Sequence, residues 1–164
     1  MKTNPTVSHL NKTAQLDPHY HLCQELNTLL ADAFVLYIKT KNFHWHVSGP
    51  QFYSLHLLFD EQAHQILKMT DQIAERIRQK GGQTLHSLAH IQKWARLKEN
   101  EEVFIGAQAM LTDLREDNLK LDSFFKKAHV LASADENFAT AGFIEKWMEQ
   151  AQKRAWFLLE LTNN

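Results

Sequence analysis

Residues 43–82 read FHWHVSGPQFYSLHLLFDEQAHQILKMTDQIAERIRQKGG. From Gln51 to Lys80, Phe52, Leu55, Leu58, Phe59, Ile66, Leu67, Ile73 and Ile77 recur at helical spacing, and Gly81-Gly82 stops the run. Ser48-Gly49-Pro50 breaks the chain just before it. The stretch is therefore a long helix between two turns. It carries His56, Asp60, Asp71 and Glu75, and His44 ends the segment that precedes the break. A helical residue turns about 100° and rises about 1.5 Å, so these four side chains share one stripe within about 100° of arc. The midpoint of His56/Asp60 nevertheless lies about 22 Å along the axis from the midpoint of Asp71/Glu75. A metal ion holds its ligands within about 2.5 Å. One helix cannot close one site from both pairs. A second copy, antiparallel across a two-fold axis, could: His56 and Asp60 of one chain would face Asp71 and Glu75 of the other, twice over.

Outward from this helix the same periodicity continues. Asp17-Pro18 is a helix start, with Asp as N-cap and Pro at the first helical position. Leu22, Leu26, Leu29, Leu30, Ala33, Phe34, Tyr37 and Ile38 then predict a first helix running to about His46. After the glycine pair, Leu88, Ile91 and Trp94 predict a short helix. A third long helix is expected from near Asn100, whose acidic residues suit a helix start, through Val103, Met110, Leu114, Leu121 and Phe125 to about Leu131-Ala132. A fourth is expected over about 136–161, with Phe143, Ile144, Trp147, Ala151, Trp156 and Leu158. The fold class is all-α, a four-helix bundle with a short extra helix in the connection between the second and third long helices. That long connection implies a crossover. Residues 1–16 are polar and aperiodic and read as a flexible tail; 17–164 form one domain.

The totals fit this picture. The chain has 164 residues, 44% hydrophobic and 23% charged, with five glycines and three prolines, which disfavours a turn-rich β fold. The net charge of −1 makes the whole chain no electrostatic magnet for nucleic acid. Cys23 is the lone cysteine, so no intrachain disulfide or cysteine metal site forms, and a reducing, cytoplasmic setting is expected. No secretory signal is visible and no apolar run approaches the roughly 20 residues of a membrane span.

Asp, Glu and His without sulfur suit ferrous iron, manganese or zinc. The competing reading is a solvated helix face, with Asp71 or Glu75 simply pairing with Arg76 or Arg78. A diiron site within one bundle would need two Glu-x-x-His pairs, and this chain has only Glu61-x-x-His64. That pair is a coincidence, or His64, midway along the stripe, lies near the two-fold axis.

Phe43-His44-Trp45-His46-x-x-Gly49, Phe52, His56-x-x-x-Asp60, Asp71-x-x-Ala74-Glu75-Arg76 and Gly81-Gly82 resemble the Dps family, the miniferritins named as DNA-binding proteins from starved cells. The resemblance spans essentially the whole chain and includes the short extra helix. It implies a ferritin-like bundle and a hollow shell of twelve subunits. It also implies ferroxidase centres at two-fold interfaces, with His44, His56 and Asp60 from one subunit and Asp71 and Glu75 from its neighbour. The family activity is oxidation of ferrous iron, two ions at or near each interface, preferably by hydrogen peroxide. The ferric product is stored as mineral, which protects the cell and its DNA. Neutral histidine ligands should lose iron as the pH falls below about 6. The alternative within the family is a nucleoid-compacting protein with iron oxidation secondary. Its signature is a Lys/Arg-rich tail, and here the tail carries only Lys2 and Lys12. Weak or absent DNA binding near neutral pH is therefore expected. Trp45 reads as core or as a neighbour of the centre. Asp122, Asp135 and Glu136, near the junction of the third and fourth long helices, are more ordinary surface or capping residues than pore residues.

Overall fold

The computed structural model describes residues 17–162; the tail expected over 1–16 lies outside the described residues. Five helices follow one another: α1 (Pro18–His46), α2 (Phe52–Gln79), α3 (Leu88–Trp94), α4 (Ala107–Ala134) and α5 (Phe138–Glu160). The described residues contain no strand. Asp17 caps α1, its carboxylate accepting from the His19 N–H at 3.0 Å. The α1–α2 turn uses Gly49 at φ 99°, a conformation a side chain disfavours. At the end of α2, Gly81 takes φ 79° and the Gly82 N–H donates to the Ile77 carbonyl at 3.0 Å, the six-to-one bond of a glycine-terminated helix. Gly82 has a separate reason: a Cβ there would meet Ile77 Cγ2 at 2.9 Å and Cys23 Sγ at 3.1 Å. The second glycine lets the end of α2 close onto α1.

α1 packs on α2 and on α4, and α4 packs on α5. Leu22, Leu26, Leu29, Leu36 and Phe43 meet Leu55, Phe59, Ile66 and Ile73 of α2, Leu114, Leu121 and Phe125 of α4, and Ile144, Trp147 and Leu158 of α5 in one buried core. The connection from α2 to α4 climbs the length of α1. Asn27 Nδ2 donates to the Gln83 carbonyl at 2.8 Å, Asp32 accepts from the Arg96 N–H at 2.6 Å, and Asn42 Nδ2 donates to the Asn100 carbonyl at 3.2 Å. α4 thus starts at the end of the bundle where α2 starts, and the connection is a crossover, as its length implied.

The third long helix starts seven residues later than expected, at Ala107 behind Gly106. Residues 95–106 are needed, largely extended, to reach along α1. Asn100 holds this segment in place: its Nδ2 donates to Asp113 Oδ2 at 3.0 Å and its Oδ1 accepts from the Glu102 N–H at 3.0 Å. Val103 is consequently exposed, as are Ile38, Phe52, Leu67, Phe143 and Trp156, which periodicity alone had assigned to the core. The α4–α5 turn closes through Glu136 at φ 49° and through Asn137, whose Oδ1 accepts from the Thr140 N–H at 3.1 Å, so α5 begins two residues later than expected.

Asp32 anchors the crossover. Its carboxylate is fully buried and accepts from the N–H groups of Arg96 and Leu97 and from Arg96 Nε. The Arg96 guanidinium also reaches Glu25 at 2.7 Å and lies 3.8 Å over the Phe124 ring. Removing the carboxylate strands two backbone donors and a guanidinium. Asp32→Ala is expected to cost about 3 kcal/mol of unfolding free energy, read as a lower urea midpoint. An unchanged midpoint would show that the crossover is held by its apolar contacts alone.

Candidate metal centre

Helical geometry places His56, Asp60, His64, Asp71 and Glu75 on the side of α2 away from Leu55, Phe59, Ile66, Ile73 and Ile77, which fill the core. The α1–α2 turn folds His44 back against this face. The His44 and His56 rings stack with centroids 3.9 Å apart, and Phe52 lies 5.1 Å from His56. Each histidine bonds the other's backbone: His44 Nδ1 donates to the His56 carbonyl at 2.8 Å, and His56 Nδ1 donates to the His44 carbonyl at 2.8 Å. The direction follows from the acceptor, since a carbonyl cannot donate. The His44 carbonyl is among the last four of α1, which have no partner within the helix, so His56 also caps α1. Both rings are thereby fixed in the tautomer whose Nε2 carries the lone pair, the form a metal ligand needs.

Asp60 joins them. His44 Nε2 lies 3.8 Å from Asp60 Oδ1. Two ligands bound to one cation at about 2.1 Å sit roughly 3–3.5 Å apart, so little movement would bring both onto one ion. Lys41, one turn before His44 on α1, donates to Asp60 Oδ1 at 2.7 Å. That ammonium holds the Asp60 carboxyl below the usual carboxylate range, with smaller help from His44 and His64. Sequence reasoning missed Lys41; its spacing of three from His44 was the available signal.

Asp71 and Glu75 are exposed, and their side chains form no hydrogen bond or ion pair among the described residues. The solvated-face reading assigned them Arg76 and Arg78 as partners, and those arginines are engaged elsewhere. Arg76 donates to Thr140 Oγ1 and Asn137 Oδ1 at the start of α5 and to Gln79 Oε1 on its own helix, and Arg78 donates to the Gly82 carbonyl. The structure therefore brings together His44, His56 and Asp60 and leaves Asp71 and Glu75 farther along the same exposed face. Among the described residues, no group of three or more His, Cys, Asp or Glu side chains in one chain closes on a metal-sized site. Glu61 and His64 do not converge: Glu61 Oε1 accepts from Gln65 Nε2 at 3.1 Å, while His64 Nδ1 donates to the Asp60 carbonyl at 2.9 Å.

The same face carries exposed Tyr53, Leu57 and Leu67, and Trp45 at the end of α1 is 61% exposed rather than core. Its ring lies 5.8 Å from Lys41 Nζ. Two of the three acidic residues near the α4–α5 junction are structural groups. Asp122 is buried and pairs with Lys126 at 2.6 Å, and Asp135 pairs with Lys80 at 2.9 Å.

The Asp60–Lys41 pair has a definite pH signature. A depressed carboxyl contributes stability above its unfolded-state value and loses it as the pH falls through the folded-state value, so the pair is intact at neutral pH and fails only in acid. In carbon NMR titrations Asp60 should titrate below 3.8, the ordinary value, and Lys41→Gln should move its midpoint up towards it. Coincident midpoints in the two proteins would mean that the ammonium does not hold this carboxylate in solution.

Comparison with known proteins adds four findings. A ferritin-like domain family matches residues 23–164. The DNA protection during starvation protein of Helicobacter pylori is 32% identical over 133 residues, which are 81% of this chain and 92% of that protein. Antigen TpF1 of Treponema pallidum superposes with a TM-score of 0.87 at 30% identity, covering 90% of this chain and 94% of that one. The Dps protein of Vibrio cholerae O1, a member of a broad superfamily of ferritin-like diiron-carboxylate proteins, superposes at 0.84 with 26% identity, covering 88% and 90% of the two chains.

Proposed function

This chain belongs to the Dps family of ferritin-like proteins, and from that premise we propose that it is a ferroxidase and iron store whose centres are each built by two copies of the chain. One subunit gives His44, His56 and Asp60, and its two-fold neighbour gives Asp71 and Glu75. The observation that carries this reading is the division of the α2 face: two histidines with Nε2 presented and one carboxylate at one end, two unpaired carboxylates at the other. Exposed Trp45, Tyr53, Leu57 and Leu67 supply the apolar surface that an isologous contact would cover. Iron is the substrate and cargo. A half-site of two imidazoles and one carboxylate, joined by further carboxylates, fits ferrous iron before oxidation and the more highly charged ferric ion after it.

The chemistry balances with peroxide as oxidant. Each ferrous ion gives one electron, peroxide takes two, the O–O bond breaks to hydroxide, and no hydroxyl radical leaves when both ions react together. The protein's part is to hold the ions side by side and to supply anionic oxygen donors. Lys41 neutralises Asp60 in the single chain and must yield it as the ion arrives. Ferric ion then mineralises inside a shell of twelve subunits, which keeps iron away from peroxide and from DNA. Ferrous iron is available in a reducing cytoplasm, the compartment expected from the lone thiol. No described helix is long and apolar enough to cross a membrane.

Sharing between subunits can be tested by complementation. His44→Ala/Asp60→Ala and Asp71→Ala/Glu75→Ala should each abolish rapid peroxide-dependent oxidation of anaerobically loaded ferrous iron. Dissociated and reassembled together, they should recover about a quarter of the wild-type centres, because half of randomly paired interfaces are mixed and each mixed pair rebuilds one centre of two. No recovery in a properly assembled mixture would place the centre within one subunit.

DNA binding is a separate matter. Twelve chains at −1 each carry about −12 in total, a charge that repels phosphate. Linear DNA at low salt and pH 7 to 8 should run unretarded at micromolar protein. Retardation that disappears when Lys2 and Lys12 are replaced by Gln would favour the nucleoid-compacting reading.

A further inference from the structure

Away from the candidate metal face, a cavity of about 90 Å³ opens between α2 and α5, lined by Leu58, Gln62, Gln65, Glu61, Arg154 and Phe157, with Lys153 at its edge. Arg154 is 1% exposed, and among the described residues no carboxylate forms an ion pair with it; Glu149 acts on it only from a distance. Its Nε donates to Asn118 Oδ1 at 2.8 Å, and the Asn118 amide in turn donates to the Leu114 carbonyl at 2.8 Å. That partner is a neutral amide. Arg154 Nη1 and Nη2 are buried without an acceptor, and so is Gln62 Nε2 across the cavity. Burial lowers the guanidinium pKa to about 10, which still leaves it charged at neutral pH. Glu61, the one acid in the lining, is turned to Gln65 instead.

A buried, charged guanidinium with both terminal nitrogens unpaired is costly unless something outside the polypeptide satisfies it. Water alone fits poorly. It can accept from the three orphaned donors, but its own hydrogens then need acceptors, and Glu61, the one carboxylate in the lining, already accepts from Gln65. An anion needs none, and a guanidinium fork suits one with two oxygens or one large soft sphere. The volume admits a single small ion. We propose that this cavity is a binding site for a small inorganic anion, of the phosphate or halide class, held by Arg154 Nη1 and Nη2 and Gln62 Nε2 and favoured by Lys153. On α2 the lining residues Leu58, Gln62 and Gln65 lie on a different side from Asp60 and Asp71, so the site is distinct from the candidate metal centre and does not depend on it.

The test uses the assembled protein in gluconate buffer at constant ionic strength, with inorganic phosphate and sodium bromide titrated separately. Wild type should show a saturable rise in melting temperature of about 5 °C at a hundredfold excess over Kd for whichever ion fits. Arg154→Gln should fold, by circular dichroism, and lose the rise, while Lys153→Gln should weaken it. Crystals of wild type grown with bromide or phosphate should show the ion beside the Arg154 Nη atoms, the bromide by its anomalous signal, which keeps the test independent of any variant. A melting temperature that follows ionic strength equally in wild type and Arg154→Gln would overturn the proposal. So would crystals showing only water in the cavity, or the Glu61 carboxylate turned onto Arg154.

Discussion

A helix has a fixed rise and a fixed turn, and that rigidity governs the rest of this molecule. On α2 it sends Leu55, Phe59, Ile66, Ile73 and Ile77 to the core and every acidic or histidine member of the stripe to the opposite side. The two ends of that stripe cannot approach each other without breaking the helix. The chain therefore offers two incomplete arrangements of donors on one exposed face. In the proposed centre that incompleteness makes catalysis a property of the assembly: a subunit held apart from its neighbour would retain the histidines but lack the carboxylates that complete the site.

α1 turns this geometry into a defined site. Its final turn bends back through Gly49 so that His44 and His56 bond each other's carbonyls, and the two rings are oriented by backbone rather than by flexible side chains. Its middle carries Asp32, which fixes the crossover, and Lys39, a buried ammonium 2.7 Å from Asp117 and 3.0 Å from Asp113 of α4. These buried charges are paired, in contrast to Arg154, and they set the register of α1 against the connection and α4 in a way that apolar packing alone would specify less sharply. The last turn of α1, which carries His44, is thus held from both sides, by α2 and by the crossover.

Periodicity made the helices legible because each long helix must bury one stripe, and α1 and α2 fall within a residue of their expected limits. It failed at α4, where the acidic run after Asn100 imitates a helix start. The crossover needs those residues extended, a demand set by the length of α1 and invisible locally. It failed also for Ile38, Phe52, Leu67, Phe143 and Trp156, since an exposed apolar residue at helical spacing looks the same in sequence as a buried one. Trp45, read as core or as a neighbour of the centre, stands exposed.

By itself the sequence determined the helical class and the stripe of His56, Asp60, Asp71 and Glu75, because these depend on composition and on a helix period that no context alters, while the family was legible from the resemblance of its motifs. Only the tertiary structure decided which histidine nitrogens are free, that Lys41 sits on Asp60, that Arg76 and Arg78 are engaged away from Asp71 and Glu75, and that Arg154 is buried with both terminal nitrogens lacking an acceptor among the described residues. Each of those facts joins residues on different helices or on a turn. The period of one helix carries no information about the azimuth at which another packs against it.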